Sequence, residues 1–436
     1  VLETSEVNDM RLKVRALPLF TLMASVLLAP VSACQQAMPP CAPDNAGLTL
    51  PSNFCAIVVA DDVTRARHLD VAANGDIVVA TGPARGQDGG GGVVVLRDSD
   101  GDGVADERNQ FGSGVGDDVE FRDGFLYYST HGAVVRYPWS EGAMEPDGPA
   151  DTIVNGLPAT GSHQAKTIAF GADGALYVNI GSPSNSCQVE DRSSGSPGKD
   201  PCEELETRAG IWRFDAGRAG QTQADGTRYA TGLRNTVALT AHPESGVLYG
   251  VVHGRDQLST NWSEYFNDEQ SAEKPSEEFV MLESGDDFGW PYCYHDPELS
   301  HRVLAPEYGG DGSTVGRCTD FKEPLVAFPA HWAPDGVIFY TGDQFPAEYR
   351  GGAFIAFHGS WNRSPLPQGG YSVVFQPFEG GEPSEDWSVF ADGFAGEEKD
   401  PRQAEHRPVG VAQGPDGSVY ISDDSAGRIY RIVYQR

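Results

Sequence analysis

Residues 161–181 read GSHQAKTIAFGADGALYVNIG, and the fold follows from them. A polar cluster of His163, Gln164 and Lys166 leads into an apolar run at 167–170. Asp173 and Gly174 then make a turn, and a second apolar run occupies 176–180. Apolar runs on either side of Asp-Gly predict a β-hairpin, because glycine supplies the positive φ that a tight turn needs. The pattern returns after Arg67, Asp117, Arg234, His331 and Arg407, with expected turn glycines Gly75, Gly124, Gly174, Gly246, Gly336 and Gly417. Repeated hairpins with almost no helical periodicity predict an all-β fold, a six-bladed β-propeller. One blade cannot cover its own faces, so stacking around an axis must supply the core.

The entry to each innermost strand should face the central channel. At the entries stand Arg67 and His68, Asp117 and Asp118, His163, Arg234 and Asn235, His331, and Arg407. Each alone reads equally as a strand cap or as lining of a water-filled channel. Their convergence on polar and charged types favours a pocket.

Composition narrows the partners. The chain has 436 residues and a formal net charge of −32. That charge argues against nucleic acid or an anionic membrane surface as ligand. Residues 10–34 read MRLKVRALPLFTLMASVLLAPVSAC: a basic start, an apolar run and small residues before Cys34. This reads as a secretory signal in 1–34 ending in a bacterial lipobox, which predicts a periplasmic protein, lipid-anchored through Cys34. An ordinary cleaved signal is the alternative. Residues 35–60 read as a tail and lead-in strand, and 61–436 as the propeller. The remaining cysteines, Cys41, Cys55, Cys187, Cys202, Cys293 and Cys318, are an even set, as disulfides in an exported chain require. Proximity favours pairing them in sequence order. A zinc site is weaker, since no Cys-x-x-Cys occurs.

Blade one is expected at about 61–98, blade two at 115–155, and blade three from His163 to Phe214. Blade four should start at Arg234 and carry an acidic loop at 258–278; blade five should cover 328–378 and blade six 407–434. The loop 98–106, DSDGDGVAD, sets carboxylates at Asp98, Asp100 and Asp102 with Asp106 beyond. It matches the first half of an EF-hand-type calcium loop, although Asn109 stands where the bidentate Glu belongs. A solvated acidic turn is the competing reading.

No Gly-x-Ser-x-Gly elbow, His-Glu-x-x-His helix or dinucleotide fingerprint occurs, which removes the commonest hydrolase, zincin and NAD readings. What remains is a cationic rim on an acidic protein: His163, Lys166, Arg234, Asn235, His253, His331, His358, Arg363 and Arg407. Such a rim suits an anionic ligand held by guanidinium–carboxylate pairs. In HGSWNR, 358–363, Trp361 could pack beside a planar cofactor whose carboxylate pairs with Arg363, or could pack a blade edge.

The segments GSHQAKTIAFGADGALYV, GLRN (232–235), GDDFGWPYCY (285–294), APDGVIFYTGDQFP (from 333), HGSWNR and RPVGVAQGPDGSVYISDD (from 407) together resemble the soluble quinoprotein sugar dehydrogenases, nearest the sorbosone- and pyranose-dehydrogenase type. The resemblance implies pyrroloquinoline quinone lying across the channel. It places His163 at the family's catalytic base, and Arg234, Asn235 and Arg407 at cofactor contacts. The backbone carbonyls of Gly254 and Arg255, with Asp256 close by, fall where the family holds calcium. Arg255 replaces a proline of the glucose-oxidising branch, and Val409 one of its arginines. No fused haem or carbohydrate-binding module follows, so the resemblance implies a separate electron acceptor, a quinone or a cytochrome. The expected function is oxidation of a sugar or polyol by hydride transfer. Two alternatives are a calcium-dependent lactonase-type propeller using Asp117 and Asp118, and a non-enzymatic binding propeller.

Overall fold

The hairpin at 161–181 forms as the sequence predicts. Strand Ile168–Phe170 pairs antiparallel with Leu176–Ile180, Ile168 opposite Val178, and Gly174 turns the chain at φ +70°. The computed structural model describes residues 1, 39–84, 86–87 and 89–435. The chain divides into two units, Val1–Met38 and Pro39–Arg436, and the strands among the described residues belong to the second. The signal and Cys34 fall outside the described residues. Among the described residues no helix is long and apolar enough to cross a membrane.

The strands of the second unit form six main sheets, each opening with an innermost strand: Ala66–Val71, Gly116–Arg122, Ile168–Phe170, Ala238–Ala241, Pro334–Phe339 and Pro408–Gln413. This is the six-bladed propeller. Second strands such as Ile77–Thr81 and Ala353–Phe357 are buried along their whole length. Neighbouring blades cover both of their faces, so they read as unbroken apolar runs rather than alternating ones. The fourth strands behave differently. Glu107–Phe111 is largely exposed and Thr227–Thr231 only partly buried; they lie beyond the expected ends of blades one and three, as Ser388–Ala391 lies beyond that of blade five. The polar sequence of Glu107–Phe111, ERNQF, carries no apolar run to read.

Two further features differ from expectation. The lead-in strand Phe54–Ala60 is the outermost strand of blade six, paired antiparallel with Ile429–Tyr434. It carries Phe54 into an aromatic cluster between blades five and six, 4.8 Å from the Phe345 ring and 5.1 Å from Phe390. In blade five, Asp335-Gly336 is not a turn. Gly336 lies inside the innermost strand, opposite Ala356, and the real turn is the longer connection containing Ala347–Tyr349. The acidic stretch of blade four is also more ordered than a loop, with short helices Leu258–Asn261 and Asp268–Glu273.

The disulfides are Cys41–Cys55, Cys187–Cys202 and Cys293–Cys318, as expected, which leaves none of these cysteines for zinc. The innermost strands enclose a channel of about 620 Å³, with His68 and Asp118 in its lining. Gly336 permits this close approach, because a Cβ there would meet the Val409 carbonyl oxygen at 2.3 Å. Gly336→Ala should therefore lower stability by about 1–3 kcal/mol, the usual cost of overpacking. Thermal unfolding of the variant beside Gly174→Ala, where a Cβ meets open space but φ is positive, separates crowding from backbone strain. An unchanged midpoint for Gly336→Ala would contradict the packing.

Candidate active site at the mouth of the channel

In every blade the first strand begins at the end of the channel where the second strand finishes. Arg67, Asp117, Lys166, Asn235, Asp335 and Arg407 therefore meet His131, Ser182, His253, His358 and Asp424. The centre of the assembly is Asp335. His253 Nε2 lies 3.2 Å from its Oδ1, Arg67 Nη1 3.6 Å and His358 Nδ1 3.8 Å from its Oδ2, and His68 Nε2 bonds its carbonyl. Around it, His358 Nε2 meets Asp424 at 2.8 Å, and His68 Nδ1 meets Asp118 at 3.1 Å. Burial would raise the Asp335 carboxyl, but the His253 hydrogen bond and the Arg67 and His358 charges outweigh it and hold it far below the carboxylate range. Burial likewise opposes the charged forms of His68 and His253, and their carboxylate partners raise both above the ordinary imidazole value.

His163 is set up in the opposite sense. Its Nδ1 lies 2.8 Å from the Ser182 carbonyl, an acceptor only, so Nδ1 carries the proton and Nε2 the lone pair. Among the described residues no hydrogen bond reaches Nε2. Burial, and then the Arg234 charge, push His163 well below the ordinary imidazole value. A neutral imidazole thus presents a free acceptor at neutral pH. Gly181 makes room for it, since a Cβ there would lie 2.6 Å from that of His163.

Arg234 is buried and donates to the Asn185 carbonyl, to Asn185 Oδ1 and to Asp256 Oδ2, the last two at 3.0 Å. Asp256 also accepts from Arg192 at 3.0 Å and from Asn362 at 2.9 Å. Burial would raise its carboxyl; Arg234, His331 and Arg192 hold it far below its usual range. Arg407 donates to the carbonyls of His358 and Gly359. In both arginines Nη1 makes no hydrogen bond among the described residues, so one guanidinium edge of each remains for a ligand. Lys166 is fully buried, its ammonium on the Gln164 carbonyl, and burial lowers it to about 8.

Other predicted residues do other work. His331 is buried, with Nε2 on the Ser271 carbonyl and Nδ1 toward Asn362, so both ring nitrogens are engaged and neither faces a ligand. Arg363 is held by the carbonyls of Ala272 and Ala330, so it fastens loops rather than offering itself to a carboxylate. Trp361 is 56% exposed and packs no blade edge. The Arg255 side chain pairs with Glu307, away from the channel. Among the described residues nothing donates to the carbonyls of Gly254 or Arg255, whereas that of Asp256 accepts from Asn185 at 2.9 Å. On blade one, Asp98, Asp100 and Asp102 converge, but Asp106 stays outside the group, bonded to Ser99.

This chemistry can be set beside known proteins. The TrAA12-like family model matches residues 48–435. The chain belongs to that family. A pyrroloquinoline quinone-dependent sugar dehydrogenase of Hypocrea jecorina (strain QM6a) is 24% identical over 337 residues, 70% of this chain and 71% of the relative. An uncharacterised protein of Borreliella burgdorferi is 32% identical over 209 residues, so that match spans about half of each protein, 48%. Among solved structures, the iodide structure of the Trichoderma reesei Carbohydrate-Active Enzymes Family AA12 superposes with a TM-score of 0.72 at 20% identity, covering 89% of this chain and 98% of that one. At that identity the likeness speaks for the fold alone. The family expected from the motifs is the one found.

Sequence reasoning missed Asp335, Asn185, Asn362 and Asp424. For Asp335 a signal exists, an acid at the strand entry, but Asp335-Gly336 spells a turn as well. In this TrAA12-like site a testable consequence attaches to that residue. Its carboxyl titrates lower folded than unfolded, so the unfolded chain binds more protons; the stabilisation is complete above about pH 4 and is lost as pH falls further. Asp335→Asn should cost about 3–5 kcal/mol at pH 7, since it leaves buried cations unpaired. Urea midpoints of parent and variant should draw together as pH drops from neutral toward 2. A gap that stays constant would refute the assignment.

Proposed function

We propose that the chain is an exported quinoprotein dehydrogenase that oxidises a sugar or polyol at an alcohol or hemiacetal carbon and passes the electrons to a separate acceptor. It would reside in the periplasm, anchored by lipid at Cys34. The observation that carries the reading is His163: an imidazole locked at Nδ1, neutral at physiological pH, with Nε2 free at the mouth of the channel. Removing a hydroxyl proton while hydride leaves the same carbon needs such a base.

The donor set fits pyrroloquinoline quinone and calcium. The free edges of Arg234 and Arg407 suit the carboxylates of the quinone, and Asn235 follows Arg234 at the strand entry. The undonated carbonyls of Gly254 and Arg255 are hard oxygen ligands of the kind calcium takes. When bound, the quinone supplies the acceptor for the substrate's hydride, a capacity no side chain has. The protein's own part is to hold the anion, to take the hydroxyl proton at His163 Nε2, and to keep that imidazole uncharged through burial and the Arg234 charge. The lactonase alternative loses ground, because Asp117 is engaged by His131 and the Lys166 amide, and Asp118 by His68 and the Ile168 amide. The retained cationic donors weigh against a pure binding propeller.

Reconstitution of purified apo-protein with the quinone and calcium, followed by a dye-linked screen of aldoses, ketoses and polyols, tests the activity. In the reconstituted enzyme His163→Gln should lower turnover by about 10²–10⁴-fold, with cofactor affinity, read by fluorescence titration, nearly unchanged. Near-parental turnover in that variant would remove the base from His163.

A further inference from the structure

We infer that the face built from residues 187–195, 256–274 and 358–368 docks a basic one-electron redox protein, which receives the electrons released at the site. The inference rests on the dehydrogenase reading above. Oxidation of one CH–OH to C=O releases two electrons and two protons; two such carriers are reduced in turn, and the protons pass to solvent.

The three segments make one surface. Gly195 N donates to the Asn261 carbonyl at 2.9 Å, and Arg192 reaches Gln257 and Asp256. Asn362 donates to Asp256 at 2.9 Å, and Arg363 Nη1 to the Ala272 carbonyl at 2.7 Å. Through Asp256 and Asn185 the same residues hold Arg234, so the surface lies directly against the site.

Charge on this surface is sorted. Its cations turn inward: Arg192 to Asp256, Lys274 to Asp296 at 2.8 Å, and Arg363 to backbone carbonyls. Its acids, Glu190, Asp191, Glu264, Asp268, Glu269 and Glu273, are all exposed. Acidity for solubility alone would not require the separation. Among them stand large apolar side chains in water: Val189 at 60% exposure, Tyr265 at 43% and Trp361 at 56%.

Anions around a few exposed apolar side chains suit a brief encounter with a cationic protein. The charges steer and orient it, and the small apolar contact lets it leave. Other occupants fit less well. A second copy of this chain carries the same −32 charge, and nucleic acid or an anionic bilayer would be repelled.

The test uses the holoenzyme reconstituted with quinone and calcium, and three acceptors: a basic c-type cytochrome, an acidic one of similar potential, and a small neutral dye. The basic cytochrome should be reduced fastest, with kcat/KM falling about tenfold or more between ~20 and ~200 mM NaCl. Glu264→Lys/Asp268→Lys/Glu269→Lys should lower that kcat/KM about tenfold and leave dye turnover within about twofold. Glu382→Lys/Glu385→Lys/Asp386→Lys makes the same change in net charge. Those residues follow strand Ser372–Gln376, which runs away from the mouth, so they lie at the opposite end of blade five; this variant should behave as the parent. Equal effects of the two triple variants, equal rates for the two cytochromes, or reduction of the dye alone would overturn the inference. A parent enzyme without dye turnover overturns the dehydrogenase reading as well, so the two failures are distinguishable.

Discussion

The mouth of the channel depends on one buried negative charge. Asp335 lies among Arg67, His68, His253 and His358, contributed by blades one, four and five. Without it Arg67 and the charged forms of His68 and His253 would face one another in a medium that screens poorly. With it, the ring acquires a fixed pattern: imidazoles directed inward at carboxylates, and guanidinium edges left outward at Arg234 and Arg407. His163 is the exception that makes chemistry feasible. Among the described residues it has no carboxylate partner and a backbone carbonyl instead, so burial and the Arg234 charge keep it neutral.

How far the sequence reveals the fold depends on where a strand lies in its blade. The inner hairpins announce themselves, because burial on both faces demands apolar runs and tight turns demand glycine, as at Gly75, Gly174 and Gly417. Outer strands such as Glu107–Phe111 meet water, so their composition is that of a loop and their existence emerges only from pairing with Gly92–Arg97. Gly336 misled for a physical reason. Glycine marks both a turn and a close approach of backbones, and Asp-Gly spells the two alike; only the register, Gly336 opposite Ala356, tells them apart.

The site was legible in its donors and illegible in its supports. His163, Arg234 and Arg407 stand at strand entries and in motifs that resemble a known family, so position and chemistry agreed. Asn185 and Asn362 come from long insertions, and no local pattern says that a loop residue far along the chain will accept from Arg234 or donate to Asp256. The same gap explains His331 and Arg363. Their residue types suit catalysis and carboxylate binding, yet the carbonyls of Ser271, Ala272 and Ala330 reach them first.

The pairing of Phe54–Ala60 with Ile429–Tyr434 carries a consequence for biogenesis. The strand Phe54–Ala60 waits for Ile429–Tyr434, so blade six cannot be completed until all the chain between them is available. Until then Phe54 and the edge of Val419–Asp423 lack their partners, and the aromatic cluster between blades five and six stays open. Contacts this distant in sequence close slowly, and an unpaired apolar edge invites association with other chains meanwhile. The ring is therefore an all-or-nothing assembly: a chain lacking Ile429–Tyr434 would lose not one strand but the joint that shuts the circle.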